Sequence, residues 1–441
     1  MRTNELVDRT AAFCRQWNML PPAGGTALCA VSGGRDSMTL LHILMRLAER
    51  EGLRLVAAHF NHRLRPGADR DERFVRDWCG KQGVAFLSGG GDVRAHMTGT
   101  GVEDAARRLR YAFLEDAADR LGASRIATAH HQDDNAETVL LHLLRGAGTC
   151  GLGGIPPVRG RIIRPLLEVS RAEIDAYAAE NRIPYVEDET NGETVYTRNR
   201  LRLEALPLLE EISPGCTARI AAAGVLLREE DAHLQAEAGA MLPAGDGREM
   251  ILPVPVLNRQ DGAMRRRLVR TMGQRLGVTL TRTQVDGVLA LGSGGMASLP
   301  GGICAVRRAH QLVLRKTEAL PPPLTLQPGE QVWGPWRITV TESPEPAAQG
   351  PDTLVLDAAA GPLAVGAWDG TGRLAVENGT RTLKRLFLDQ GIPPERRGEH
   401  PVLYAAGKPA AALGAAVDWN LRPQAGRPCI LVVFTPIPGE E

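Results

Sequence analysis

Two short segments hold residues whose types and spacing could do chemistry. The first is Ser32-Gly33-Gly34-Arg35-Asp36-Ser37, which interrupts the apolar run ending at Val31 and precedes Met38, Leu41, Leu44, Met45 and Ala48 at helical spacing. Glycines between a strand and a helix let the backbone approach a bound group closely. The helix N-terminus beyond them offers free N–H groups and a positive dipole end, which suit phosphate. Ser32 and Ser37 add hydroxyl donors. Asp36 puts a carboxylate beside that seat, so bound phosphates need an offsetting cation, and Mg²⁺ is the economical one. The segment is neither a Walker A loop nor the G-x-G-x-x-G dinucleotide turn. An ordinary strand-to-helix turn that needs glycine would carry the same letters, so the hexapeptide alone leaves both readings open.

The second segment is His130-His131-Gln132-Asp133-Asp134-Asn135-Ala136-Glu137-Thr138. Glu137 falls four residues after Asp133 and three after Asp134, so it can share a helix face with either. Acids in a first helical turn also complement the dipole, which is a sufficient structural reason for them. As chemistry, these carboxylates make a pocket for a cation: Mg²⁺, or the ammonium group of a substrate. The spacing around His131 is unconvincing for a transition metal.

The elements that must position both segments alternate between strand and helix. Residues 53–60, 84–87 and 124–129 read as strands, and 71–82, 102–121 and 133–144 as helices. That order predicts an α/β domain with a doubly wound, mainly parallel sheet and its ligand crevice at the strand C-termini. Ser170 and Glu173 form a capping box for a helix over 170–181, and 199–211 reads as another helix. Ser213-Pro214-Gly215 closes the first domain, expected over 1–212. The pattern from 217 to about 291 is helical, and short β-like runs flank Leu299-Pro300-Gly301-Gly302. A mainly helical domain with a short β-hairpin is therefore expected over 213–318. Pro321-Pro322-Pro323 marks a linker into a small α+β domain over 319–441, with one clear helix at 382–390.

Composition bounds the function. The 441 residues carry 52 Lys+Arg against 51 Asp+Glu, a net charge of +1. Nucleic-acid-binding proteins are often basic overall, so an RNA partner here requires locally concentrated positive charge. Arg265, Arg266, Arg267, Arg270 and Arg275, then Arg307-Arg308, then Lys384-Arg385 supply such clusters; a solvated helix face would look the same. The 7 cysteines include no C-x-x-C pair, which argues against a zinc ribbon or redox pair and suits a reducing cytoplasm. No secretory signal and no apolar run of membrane-spanning length is present, so a cytoplasmic protein without a membrane partner is expected.

The glycine turn resembles the S-G-G-x-D-S loop of the N-type ATP pyrophosphatases, the PP-loop superfamily. The acidic segment resembles the H-x-x-D-D-x-x-E-T motif of the tRNA(Ile)-lysidine synthetases through His130, Asp133, Asp134, Glu137 and Thr138. The likeness continues through Ala105–Tyr111, Leu144–Gly148 with Gly151-Leu152, Arg164-Pro165-Leu166, Glu187-Asp188 with Asn191, and Arg198–Arg202. Leu383–Phe387 and Ile392-Pro393-Pro394 resemble that family's C-terminal domain. Two departures stand out: Arg63 takes the place of a glycine common after H-x-x-H, and Thr149-Cys150 occupies a variable spot.

The resemblance implies an adenine-nucleotide-hydrolase-like fold and an ATP-dependent carbon–nitrogen ligase. Such an enzyme adenylates the wobble cytidine in the CAU anticodon of tRNA(Ile), then lets L-lysine displace AMP from C2. It implies ATP contacts at Ser32, Gly33, Gly34, Arg35, Asp36, Ser37, His59 and Arg110, with Mg²⁺ at Asp36 and Asp133. Asn61 and His62 are grouped with His59 on the adenine side. Lysine falls to Asp134 and Glu137, and one of these acids or His130 is the candidate base. Arg200, Arg202, Arg265, Arg266, Arg267, Arg307, Lys384 and Arg385 are candidate tRNA contacts, since guanidinium matches phosphate. A homodimer is compatible with the sequence, which carries no specific interface signal. The rivals are a cytidine thiolase or another PP-loop enzyme, disfavoured by the absent C-x-x-C and by the acidic segment. A non-catalytic nucleotide-dependent RNA-binding protein is disfavoured by the intact carboxylates.

Overall fold

A computed structural model describes residues 3–63, 67–91, 102–187, 197–245, 247–317, 321–345 and 348–437. Asp188, Asn191 and most of the 89–101 stretch lie outside the described residues. The chain divides into two compact units, Met1–His233 and Leu234–Glu441. The division falls within the long helix Cys216–Met241.

The first unit is built on strands β1 (Thr26–Ala30), β2 (Arg54–Asn61), β3 (Ala85–Gly90), β4 (Ala123–Ala127), β5 (Val158–Arg159) and β6 (Ile162–Ile163). Their order is β3-β2-β1-β4-β6-β5, parallel except for the last pair. Between them run α1 (Thr3–Gln16), α2 (Arg35–Glu51), α3 (Ala68–Gln82), α4 (Val102–Leu121), α5 (Gln132–Leu144), α6 (Thr149–Leu152) and α7 (Arg171–Glu180). Alternate strand residues go to opposite faces, as a pleat of period 2 requires. Cys29, Ala57, Ala127 and Ile163 pack with α1, α2 and α7, while Leu28, Val56, Ala58 and Ile126 pack with Leu114, Ala117 and Ala118 of α4. Both faces are covered, so the doubly wound parallel sheet expected from the alternation is what forms. Strand order reverses between β1 and β4, and a crevice at that switch point is where such sheets take ligands.

The second unit has two large cores and two smaller apolar clusters. One joins helices Gly262–Arg275 and Arg282–Leu289 to a four-stranded antiparallel sheet formed by Glu249–Pro253, Gln311–Lys316, Ile303–Arg307 and Met296–Leu299. The expected hairpin is thus half of a larger sheet. Its edge strand, Glu249–Pro253, lies inside the stretch read from sequence as helical. Its partner Gln311–Lys316 is some sixty residues away, so no local period announces the pairing. The other core gathers Leu326, Trp333, Ile338, Val365, Leu403 and Phe434 from two antiparallel sheets, with helix Leu383–Asp389 seated nearby through Leu383 and Phe387. Among the described residues no helix is long and apolar enough to cross a membrane.

Candidate active site

The glycine turn sits at the C-terminal end of β1. Gly34 caps α2 in extended geometry, and Gly33 has φ +95°, a conformation that glycine adopts without strain. A Cβ on Gly33 would stand 3.3 Å from Val75 Cγ2, so the turn is also tight against α3. The loop closes on itself. Ser32 N–H donates to Ser37 Oγ at 3.1 Å, and Ser37 Oγ donates to Gly34 O at 2.9 Å. The first residue of α2, Arg35, leaves the crevice: it pairs with Asp175 at 2.6 Å and stacks 4.5 Å over Tyr185. Asp36 turns inward, and Arg171 Nη1 lies 2.9 Å from both its carboxylate oxygens.

The acidic segment opens α5 at the end of β4, next to β1. His131 caps this helix, with its N–H donating to Asp134 Oδ2 at 3.1 Å. Its ring joins the two segments. Nε2 lies 3.8 Å from Asp36 and 3.5 Å from Asp134, and Nδ1 lies 3.6 Å from Asp133. Burial pushes the imidazole down, but the nearby carboxylates of Asp133, Asp134 and Asp36 outweigh it and hold its pKa above the usual value. Burial raises the Asp36 carboxyl against the pull of His131 and Arg171. Asp133 is held low despite burial, by His131 and by the Arg171 backbone N–H, which it accepts at 3.0 Å. Asp133 thus also caps the start of α7.

His130 has a different environment. Nδ1 meets Thr128 Oγ1 at 3.0 Å, and burial with little compensation pushes the imidazole down to about 3. His59 is buried, its Nδ1 2.9 Å from Val31 O, and burial holds it below the usual value. Asn61 Nδ2 donates to Asp69 at 2.8 Å, and burial lowers His62 to about 4. Arg63 adopts φ 51°, the left-handed conformation that explains why a glycine suits this position, and Asn61 Oδ1 accepts its N–H at 2.9 Å.

Asp134 and Glu137 are occupied from the chain itself. Arg198 Nε donates to Glu137 at 2.9 Å and Arg198 Nη2 to Asp134 at 3.1 Å. Arg202 Nε donates to Glu137 at 2.6 Å and Arg202 Nη2 to Asp134 at 2.8 Å. Residues 201–205 form a π turn between Thr197–Arg200 and Leu206–Ile212, inside the helix expected there. π turns inside helices are frequent at functional sites. Arg200 points elsewhere, to Glu204 at 3.2 Å on the surface.

The crevice therefore collects Ser32, Gly33, Gly34, Asp36, Ser37, Asp133, Asp134, Glu137 and Arg202. Arg35 and Arg200 face away from it. Arg110 lies beside Tyr111, and burial lowers its pKa. Arg265, Arg266, Arg267, Arg307, Lys384 and Arg385 belong to the second unit. Sequence reasoning did not give Arg171, the central role of His131, or Arg198 as the partner of the acids. A Ser-Arg pair at a helix start was a visible signal for Arg171, but nothing local linked it to Asp36.

Among the described residues no three His, Cys, Asp or Glu side chains converge as a metal cage. Mg²⁺ seldom needs one, because it is held by one or two carboxylates with phosphate oxygens and water. Asp36, raised by burial and next to the phosphate-type turn, fits that mode.

Residues 10–209 match the PP-loop domain model, and residues 365–433 match the model of the TilS substrate C-terminal domain. The chain is 33% identical to the tRNA(Ile)-lysidine synthase of Geobacter sulfurreducens, covering 98% of both chains. It is 36% identical to that of Symbiobacterium thermophilum, covering 96% of both. Among solved structures, the U34-tRNA thiolase of Methanococcus maripaludis aligns over 51% of this chain and 79% of that one, with a TM-score of 0.44 and 17% identity. With relatives of this identity matched end to end, the chain belongs to the tRNA(Ile)-lysidine synthase family.

Proposed function

We propose that the protein ligates L-lysine to C2 of the wobble cytidine in the CAU anticodon of tRNA(Ile), consuming ATP and releasing pyrophosphate and AMP. One observation carries the reading: the ring of His131 lies between Asp36 of the phosphate-type turn and the buried Asp134, whose partner in binding cations is Glu137. A seat for phosphates and a seat for an ammonium group thus share one crevice.

In the first step the cytosine O2 attacks the α-phosphorus and pyrophosphate leaves. The Gly33-Gly34 backbone, the α2 N-terminus and the two serine hydroxyls hold the departing phosphates. Asp36, with Asp133 or Asp134, would hold Mg²⁺, which when bound lowers the charge of the phosphates under attack. Arg171 must then yield part of its hold on Asp36. His59 and Arg110 are assigned to ATP.

In the second step Asp134 and Glu137 take the lysine ε-ammonium in place of a guanidinium from Arg198 or Arg202. One of these carboxylates accepts the ammonium proton, the freed amine attacks C2, and AMP leaves. Arg307 and Lys384 are assigned to the tRNA backbone; no ion pair engages either one among the described residues. The domain division 1–212, 213–318 and 319–441 remains our functional division: ATP chemistry first, tRNA binding after. A cytoplasmic setting suits a tRNA substrate and seven free cysteines. Sedimentation at graded concentrations tests the homodimer.

The deciding experiment is mass spectrometry of a tRNA(Ile) transcript treated with enzyme, ATP and labelled lysine. Lysidine at the wobble cytidine is the expected product. An enzyme that releases no AMP in response to lysine would refute the proposal.

A further inference from the structure

Four arginines gather around Tyr111, and their surroundings differ from those of other arginines in the molecule. Arg107 and Arg110 come from α4, with guanidinium carbons 5.2 and 5.5 Å from the ring centroid; Arg159 comes from β5, at 5.9 Å. Arg164, just beyond β6, interacts electrostatically with Tyr111, Arg159 and Arg107. The group runs from the surface inward. Arg107 and Arg159 are exposed, Arg110 and Tyr111 are half-buried, and Arg164 is only 2% exposed.

Among the described residues no carboxylate pairs with any of the four. Arg164 Nη1 donates to Pro156 O, but its Nε is buried without a hydrogen-bond partner, as is His62 Nδ1 nearby. Guanidinium stays charged in proteins, so these are like charges crowded in a partly dry place. Burial lowers the pKa of both Arg110 and Arg164, the mark of cations held at a cost. A ring face offers each cation only a modest return. Buried charge that the chain itself leaves uncompensated calls for an external anion.

Position identifies the anion. Ile163 precedes Arg164, and its carbonyl accepts the Thr128 N–H at 3.0 Å; Thr128 in turn contacts His130. The charges of Arg164 and Arg110 both act on His130, and that of Arg110 acts on His62. The arginines therefore border the crevice on its β4–β6 side, whereas the phosphate-type turn belongs to β1 and α2. Exposed members lead to a buried one, as suits a chain of phosphates arriving from solvent rather than one compact triphosphate.

We propose that Arg107, Arg159 and Arg164 form a phosphate-binding cleft for the RNA backbone next to the nucleotide being modified, with Arg110, assigned above to ATP, at its inner end. This rests on the tRNA-ligase reading above. Phosphate is the shared chemistry of RNA and ATP, and the test separates them.

The test uses the full-length chain with Arg107→Glu and Arg159→Glu combined, both exposed. Affinity is measured by filter binding for the whole tRNA(Ile) transcript and for its isolated anticodon stem–loop, over a salt series. ATP alone is titrated by calorimetry. Expected are a loss of about tenfold or more for both RNAs and a log–log salt slope shallower by roughly 1.5, from two lost phosphate contacts. ATP affinity and the melting temperature should match the parent, and Arg107→Lys with Arg159→Lys should restore most of the RNA affinity. If the Glu variant melts early, Arg159→Gln alone is measured, with about half the slope change expected. Unchanged RNA affinity and slope would overturn the proposal. So would loss of ATP affinity with RNA spared, or a loss confined to whole tRNA with the stem–loop unaffected. Failure of the parent enzyme to make lysidine would instead count against the function itself.

Discussion

The arginines of the two units live under different conditions. In the second unit, clustering in sequence leaves much of the positive charge tied to other groups. Arg265 donates to the carbonyls of Gln260 and Asn258, Arg266 pairs with Asp286 at 2.8 Å, and Arg275 binds the carbonyls of Gly239 and Pro243. Arg385 shares Asp389 with Arg381. In the first unit, arginines scattered over more than fifty positions converge on Tyr111 and, among the described residues, find no acid. The difference teaches that a basic run in a sequence reports composition, while available charge depends on which acids and carbonyls the fold brings alongside. Exposed ion pairs are weak and can exchange partners, so the proposed RNA-binding role of the second unit does not require free arginines. Its tied arginines must give up contacts to use it, and those round Tyr111 need not.

The largest expected effect tests the crevice itself. Asp36→Ala should lower tRNA-dependent pyrophosphate release by about 10³-fold or more, as the loss of a key electrostatic group does. An enzyme that keeps a tenth of parental release would remove Asp36 from the first step. Glu137→Ala comes next. It leaves Arg198 and Arg202 facing one acid instead of two, at a cost of about 2–3 kcal/mol by denaturant titration once their partial exposure is allowed for. It should retain adenylation yet lose lysine-dependent AMP release, and a mutant dead at adenylation would reassign Glu137 to ATP or Mg²⁺.

A third effect is a pH dependence. The pKa of His131 is raised in the fold, so its contribution to stability is complete below the unfolded value near 6.5 and is lost as pH rises through the folded value. Stability of the parent should therefore fall over that window relative to His131→Gln; parallel curves would show that His131 is not held cationic by the acids. Ser170→Ala should cost about 1 kcal/mol of stability by removing the capping box that starts α7. The smallest effect is expected from Arg266→Ala, which should change tRNA affinity by less than about twofold because its partner is already Asp286. A tenfold loss there would reverse the contrast between the two units.

Much of the first unit is legible in the order of its residues. The four strands and the helices read from its sequence form within a few residues of their expected places, because strand period, helix period and glycine punctuation agree along that stretch. The capping box of Ser170 and Glu173 is present with both of its hydrogen bonds. The strand Glu249–Pro253 is not legible, since five residues among helices carry no signal of a partner sixty positions on. In the crevice, the glycine turn and the acidic turn are contiguous segments, and contiguity is what makes a motif readable. Arg171 reaches Asp36 across 135 positions, and Arg202 reaches Glu137 across 65. No local spacing encodes such pairs.

The sequence by itself determined the chemistry on offer: a backbone seat for phosphates, carboxylates four residues or fewer apart on one helix, and a near-neutral total charge that hides local excess. Those properties follow from residue type and short-range geometry, which the chain carries wherever it goes. The tertiary structure decided which charges are spent on one another and which are left over. It set His131 between the acids and raised its pKa, buried His130 and made it neutral, closed Asp134 and Glu137 with arginines, and, among the described residues, left the Tyr111 arginines without an acid. Each of those outcomes depends on burial and on partners distant in the chain, and only folding fixes them.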